Sequence, residues 1–207
     1  MKKLQEAFQN LENKTDINVP SDPQYLKGFT EWGTPNYDWP PKLGFQEETI
    51  QGIIRESGLP ETWDRYGYMG GGNFSDVPAS GPYSYSERSI PYLENPDAYH
   101  TGTFNRETYF DKIDAIKDGN LNKLNGILES EGINSITEGK FNRLISDYNY
   151  FLDNAASQLN ISPNDITYGI HGKAASWGDM SGGAEQIVTP FNGQTMNELG
   201  IQKEVFK

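Results

Sequence analysis

The chain has 207 residues, a formal net charge of −12, no cysteine, and 13% aromatic residues in a composition only 35% hydrophobic. That length predicts one domain with its own core, and the aromatic content separates it from disordered chains. The charge argues against nucleic acid and anionic membranes as partners, and zero cysteines removes disulfides, thiolate metal sites and cysteine nucleophiles.

Residues 2–13 place Leu4, Phe8 and Leu11 at helical spacing, which predicts a short amphipathic helix. Met1-Lys2-Lys3 leads into this polar helix rather than an apolar core, so no signal peptide is expected, and no apolar run is long enough to span a membrane. From Asn18 to Phe45 five prolines (Pro20, Pro23, Pro35, Pro40, Pro41) interrupt a run with Trp32, Tyr37 and Trp39, which predicts a loop lying on the body of the fold. Residues 1–38 thus read as a helix followed by an aromatic, proline-rich loop. Ile50, Ile53 and Ile54 predict a second short helix over 47–57, closed by Gly58 and Pro60.

Thr62 to Tyr66 reads as a strand, broken by Gly67 and by Gly70-Gly71-Gly72. Between about 105 and 160, Phe110, Ile113, Ile116, Leu121, Leu124, Leu128, Phe141, Leu144, Ile145, Tyr148, Phe151, Leu152 and Leu159 repeat at three or four, predicting two or three helices. Ser135 with Glu138 fits a capping box opening the longest. Ile166–Ile170, Gln186–Thr189 and Ile201–Phe206 read as strands, and 195–199 as a helical turn. The fold class is α+β: short-stranded mixed or antiparallel sheets with peripheral helices and a helical block between them, in a single domain over 1–207.

Two arginines stand out in an acidic chain, Arg65 in Asp64-Arg65-Tyr66-Gly67 and Arg88 in Glu87-Arg88-Ser89-Ile90-Pro91. Tyr99-His100 and Gly182-Gly183-Ala184-Glu185-Gln186 follow, each among aromatics and glycines. Read alone, each arginine fits a plain ion pair with its acidic neighbour, and a lone histidine is more often structural than functional. His171 reads as structural or exposed. Two histidines without cysteines argue against zinc. Gly70-Gly71-Gly72 lacks the Lys-Ser/Thr of a phosphate loop, and 114–125 lacks the ligands of a calcium loop.

Taken in order, Trp39-Pro40-Pro41 with Gly44-Phe45, the Arg65 and Arg88 segments, Gly72 with Phe74, Tyr99-His100, Trp177-Gly178, the Gln186 segment and Glu198-Leu199-Gly200-Ile201 resemble the blocks of the tuberculosis-necrotizing-toxin (TNT) domain family. They cover residues 39–100 and 177–206. The resemblance implies hydrolysis of NAD+ or NADP+ to nicotinamide and ADP-ribose or its phosphate, as in the toxic ends of bacterial polymorphic toxins. It implies substrate-binding roles for Arg65 and Arg88 and catalytic roles for His100 and Gln186. It also implies secretion, or delivery into a target-cell cytosol by a non-classical route, and an immunity protein as partner. No cofactor or metal is expected, since NAD(P)+ is the substrate. The helices of 105–160 then stand as an insertion between the histidine and glutamine blocks, and Ile187 stands where the family often has an aromatic.

The residue types suit that chemistry. Arginine forks offer a pyrophosphate charge-assisted, bidentate hydrogen bonds, and a glutamine offers ribose or water a donor and an acceptor together. Phe74 and Gly71, with Ser89 beside Arg88, are expected to line the substrate site, while Glu87 or Glu185 would supply an anion opposite developing positive charge. The rivals are ADP-ribosyl transfer, which differs only in the acceptor, and a non-catalytic NAD-binding module.

Overall fold

In a computed structural model of the chain, the structure describes residues 19–31, 33–56 and 58–204. The expected N-terminal helix over 2–13, together with Trp32, lies outside them. The strands and helices run in the order β1 (Leu26–Phe29), β2 (Pro35–Tyr37), β3 (Gln51–Gly52), β4 (Thr62–Tyr66), β5 (Asn73–Phe74), β6 (Tyr99–Phe104), α1 (Tyr109–Lys117), α2 (Leu121–Ser130), α3 (Glu138–Leu159), β7 (Ile170–Lys173), β8 (Glu185–Val188), α4 (Gly193–Glu198) and β9 (Gln202–Glu204). All strand pairs are antiparallel. They form a β1-β2 hairpin, a four-stranded sheet in the order β3-β7-β8-β5 and a three-stranded sheet in the order β4-β6-β9. The fold is α+β.

The two larger sheets meet at one place. Asp64 of β4 bridges Ser75, just past β5, through reciprocal backbone hydrogen bonds of 2.9 and 3.0 Å. On one side of this seam, Trp63, Phe74 and Phe104 pack with ring centroids 5.2–6.3 Å apart. Trp63 is fully buried and lies over Gly102 of β6, where any Cβ would stand 2.6 Å from the indole. The same core takes in Ile113, Ile116, Leu124, Leu128, Phe141, Leu144 and Tyr148 of the helices, so the helical block shares the core of the sheets. Each such side chain is worth about 1.5–3 kcal/mol relative to exposure.

Charge reinforces this docking. Lys112 of α1 is fully buried, and its ammonium donates to Glu131 Oε2 at 2.6 Å and to the Gly200 carbonyl at 3.2 Å. Burial pulls the amine down from its ordinary value, opposed by Glu131. Glu131 also accepts from Asn105 and Thr108, so the start of α1 and the end of α2 are tied together beside the turn before β9.

Several sequence expectations need correction. The stretch 18–45 is not one loop: Pro23 opens a 3-10 turn capped by Asp22, and Pro35 is the first residue of β2, an edge position where proline is tolerated. The helix expected over 47–57 is absent from its described residues, 47–56. Glu47–Thr49 is a single 3-10 turn, and Gln51 and Gly52 then pair with His171 and Ile170. The pairing requires a glycine, because a Cβ on Gly52 would stand 1.6 Å from the Asp165 carbonyl.

The cap of α3 is Thr137, which accepts from the Lys140 amide at 3.3 Å, while Ser135 donates to Glu129. Ile166 ends a 3-10 turn (Pro163–Ile166), and the strand starts at Ile170, after Gly169 turns the chain at φ 111°. The remaining strand and helix expectations hold to within a few residues, the last strand being described as far as Glu204.

Candidate functional site

A cavity of about 420 Å³ opens beside the seam between the sheets. Its wall includes Arg65 and Tyr66 of β4, Asn73 and Phe74 of β5, Arg88 and Ser89 of the next loop, and Gln186 and Val188 of β8. Trp39, Leu43, Tyr92 and Gln158 also line it. Five of the seven site residues expected from the sequence therefore meet on one cavity: Arg65, Arg88, Phe74, Ser89 and Gln186. That volume is within the usual range of small-molecule sites.

Alternation along β4 sends Asp64 and Arg65 to opposite faces. Asp64 is fully buried; Arg88 Nη2 and the Tyr99 hydroxyl donate to its two carboxylate oxygens, the latter at 2.9 Å. Burial pushes the carboxyl up, against the pull of Arg88 and Tyr99. The Arg88 guanidinium also stacks 4.9 Å from the Tyr66 ring and donates to the Tyr83 carbonyl. The neighbour pairs expected from the sequence are thus absent: Asp64 belongs to Arg88, and Glu87 caps its own turn by accepting from the Ser84 amide and hydroxyl, both at 2.8 Å.

Arg65 has no acidic partner among the described residues. It is 9% exposed, donates from Nη1 to the carbonyls of Gly71 (2.6 Å) and Asn73 (3.2 Å), and lies 5.5 Å from the Phe74 ring. Its Nε is buried without a hydrogen-bond partner. Burial, with Arg88 adding to it against an opposing contribution from Tyr92, pulls the guanidinium down to about 10. It stays cationic at neutrality. A nearly buried cation without a counter-ion is costly, and an anion in the cavity would supply what the protein omits. Gly71 sits against this guanidinium, not on the cavity wall; a Cβ there would stand 2.6 Å from Nη2.

Gln186 is held by its amide. Nε2 donates to the Leu43 carbonyl at 3.2 Å, an assignment a carbonyl acceptor requires, and this leaves Oε1 to accept from a ligand or water. The loop that carries Arg88 is joined to the approach to β8 by Gly182 N to Ser86 O (3.1 Å) and Ala184 N to Glu87 O (3.0 Å), which brings two distant sequence segments together. Glu185 opens β8 but is not on the cavity wall.

Backbone strain gathers at the same place. Among the described residues, four other than glycine have positive φ: Lys42 (58°), Leu43 (56°), Ser89 (52°) and Asn160 (59°). Leu43 and Ser89 line the cavity, and Ser89 is pinned by its hydroxyl donating to the Ala175 carbonyl. A left-handed residue with a side chain costs about 1–2 kcal/mol, and such strain clusters at ligand sites.

The structure does not bring His100 to the cavity. As the cross-strand partner of Arg65 it shares a face with it, but its Nδ1 is 2.5 Å from Glu204 Oε1 on β9, the strand on the far side of β6. His171, in β7, pairs with Gln51 and Ile187. Sequence reasoning missed Asp64 as the partner of Arg88, the Leu43 carbonyl, and the aromatic rim. Trp39, 51% exposed, stands at the mouth within 5.2–6.3 Å of Tyr37, Trp177 and Tyr92. The alternation of β4 parts Asp64 from Arg65 but does not name its partner, and Trp39 and Tyr92 carried only the cue of aromatics beside prolines.

No family model matches the chain, and neither does any curated protein. Among the described residues, no helix is long and apolar enough to cross a membrane.

Proposed function

We propose that the chain is an NAD(P)+ glycohydrolase that releases nicotinamide from its substrate. The observation that carries this reading is Arg65: a buried guanidinium, without an acidic partner among the described residues, that faces a cavity with an aromatic mouth and a fixed glutamine. A nucleotide supplies the matching parts, an anionic phosphate for the guanidinium and a flat ring for Trp39.

In the reaction, the bond between ribose C1′ and the nicotinamide nitrogen breaks, and the electron pair returns to the ring, which leaves neutral. The leaving group therefore needs no acid, and the barrier is the oxocarbenium-like ribose, as in glycoside hydrolysis. Water adds to C1′ and gives its proton to solvent. Arg65 holds the phosphates beside Arg88, whose own charge is already met by Asp64, and Gln186 Oε1 orients a ribose hydroxyl or the attacking water. Turnover of this kind would deplete NAD in a cell that receives the protein. Transfer of the ADP-ribose to a protein nucleophile would use the same first step.

A second reading draws on the placement of His100, whose ring faces Glu204 instead of the cavity. It is a non-catalytic NAD-binding module. Nicotinamide release from NAD+ and from NADP+ separates the two, with Gln186→Ala and His100→Ala run beside the unmodified protein. Release that vanishes in folded Gln186→Ala supports the hydrolase. Binding without release supports the module, and neither binding nor release removes both.

A further inference from the structure

Lys42, Leu43 and Gly44 hold positive φ in succession, at 58°, 56° and 78°. Isolated residues visit this region, whereas runs that include side chains do not, so something must hold the turn. Two contacts do. The Lys42 ammonium donates to the Leu159 carbonyl at 3.3 Å, one of the last carbonyls of α3, and pairs with Glu47 at 3.1 Å. The Leu43 side chain packs on the cluster of Phe45, Ala155, Leu159, Ile166 and Ile170. A lysine at a helix C-terminus is favourably placed, since the last carbonyls lack partners and carry the negative end of the helix dipole.

What the turn delivers is a backbone carbonyl. Leu43 O accepts from Gln186 Nε2, and Leu43 lines the cavity beside Gln186 and Gln158, the latter from the last turn of α3. The chain of contacts runs from the end of α3 through Lys42 to the Leu43 carbonyl and then to the Gln186 carboxamide.

We infer that Lys42 is a positioning residue for Gln186, clamping the left-handed turn to the C-terminus of α3 so that the Leu43 carbonyl fixes the carboxamide with Oε1 toward the cavity. The helical block thereby supports the site as well as the core. The kinetic consequence rests on the hydrolase reading; the geometric one does not.

The test compares Lys42→Met and Lys42→Arg with the unmodified protein. The Gln186 side-chain amide pair is identified in 15N spectra by its loss in Gln186→Ala. In Lys42→Met this pair is expected to shift and exchange faster, kcat for nicotinamide release to fall about tenfold, and KM to change little, as for a misplaced catalytic group. Lys42→Arg, which still donates to the Leu159 carbonyl, restores both. An unmoved Gln186 amide pair in folded Lys42→Met overturns the inference. Should that variant not fold, Lys42→Gln, too short to reach Leu159, replaces it in the same comparison. If the unmodified protein releases no nicotinamide, the hydrolase reading falls and the amide comparison alone decides the role of Lys42.

Discussion

Asp64 and Arg65 are neighbours in the chain and strangers in the fold: the carboxylate of Asp64 pairs with Arg88, while Arg65 faces the cavity and, among the described residues, has only backbone carbonyls as hydrogen-bond partners. One arginine is thereby neutralised and the other is left to meet an anion. The two are expected to respond oppositely to substitution.

Arg65→Met removes an unpaired buried cation, so the folded protein should be as stable as before or more stable, while NAD+ affinity falls at least tenfold. Arg65→Lys should not restore it, since a point charge cannot reproduce a fork that holds two carbonyls and still presents a free edge. Because burial pulls the guanidinium down only to about 10, it stays charged and affinity should stay flat across neutral pH. Calorimetric titration and thermal melts check all three.

Asp64→Leu should behave differently. It strands Arg88 without its anion in a buried site and is expected to destabilise the fold by about 3–5 kcal/mol. In Asp64→Leu/Arg88→Met that loss should largely be recovered. Urea denaturation of the two singles and the double gives the coupling between them directly.

Gly71→Ala is a steric test of the same site. Gly71 does not hold a positive φ, so alanine brings no backbone strain, but its Cβ would stand 2.6 Å from Arg65 Nη2. The expected outcome is a folded protein whose NAD+ affinity drops by about tenfold or more because the guanidinium has been pushed aside. Unchanged affinity would detach Arg65 from the anion.

Acid stability should depend on Asp114. Burial pushes this carboxyl up, but hydrogen bonds from Arg55 and Tyr168 outweigh it and hold the group below its ordinary value. The folded value lies below the unfolded one, so the contribution is complete above the ordinary carboxylate pKa of about 4 and is lost as pH falls through the lower, folded value. Asp114→Asn should therefore lower the denaturation midpoint at neutral pH and show a smaller further loss on acidification than the unmodified protein.

The helices of 105–160 were legible because their apolar residues recur over several turns, a signal that tertiary contacts seldom override. The 47–57 stretch was misread for the same reason in reverse. Ile50, Ile53 and Ile54 have helical spacing, yet Ile53 is buried and Ile54 is 49% exposed, because the chain there pairs with β7 instead. Arg65, Arg88 and Gln186 could be picked out from their surrounding motifs. The partner of Arg88 could not, since it depends on how a loop folds back across β4. Nor could Leu43, whose contribution to the site is a carbonyl that any residue carries. His100 shows the limit of a motif: the register that sets it opposite Arg65 also delivers its ring to Glu204.

The bridge between Asp64 and Ser75 has a practical consequence. A molecule seated beside it would touch strands of both larger sheets and act as a rivet across the line where they join. Whatever binds only the assembled form raises the melting temperature in proportion to the logarithm of its concentration over its Kd. A thermal-shift survey of anionic metabolites can therefore rank ligands for this protein before any reaction has been observed.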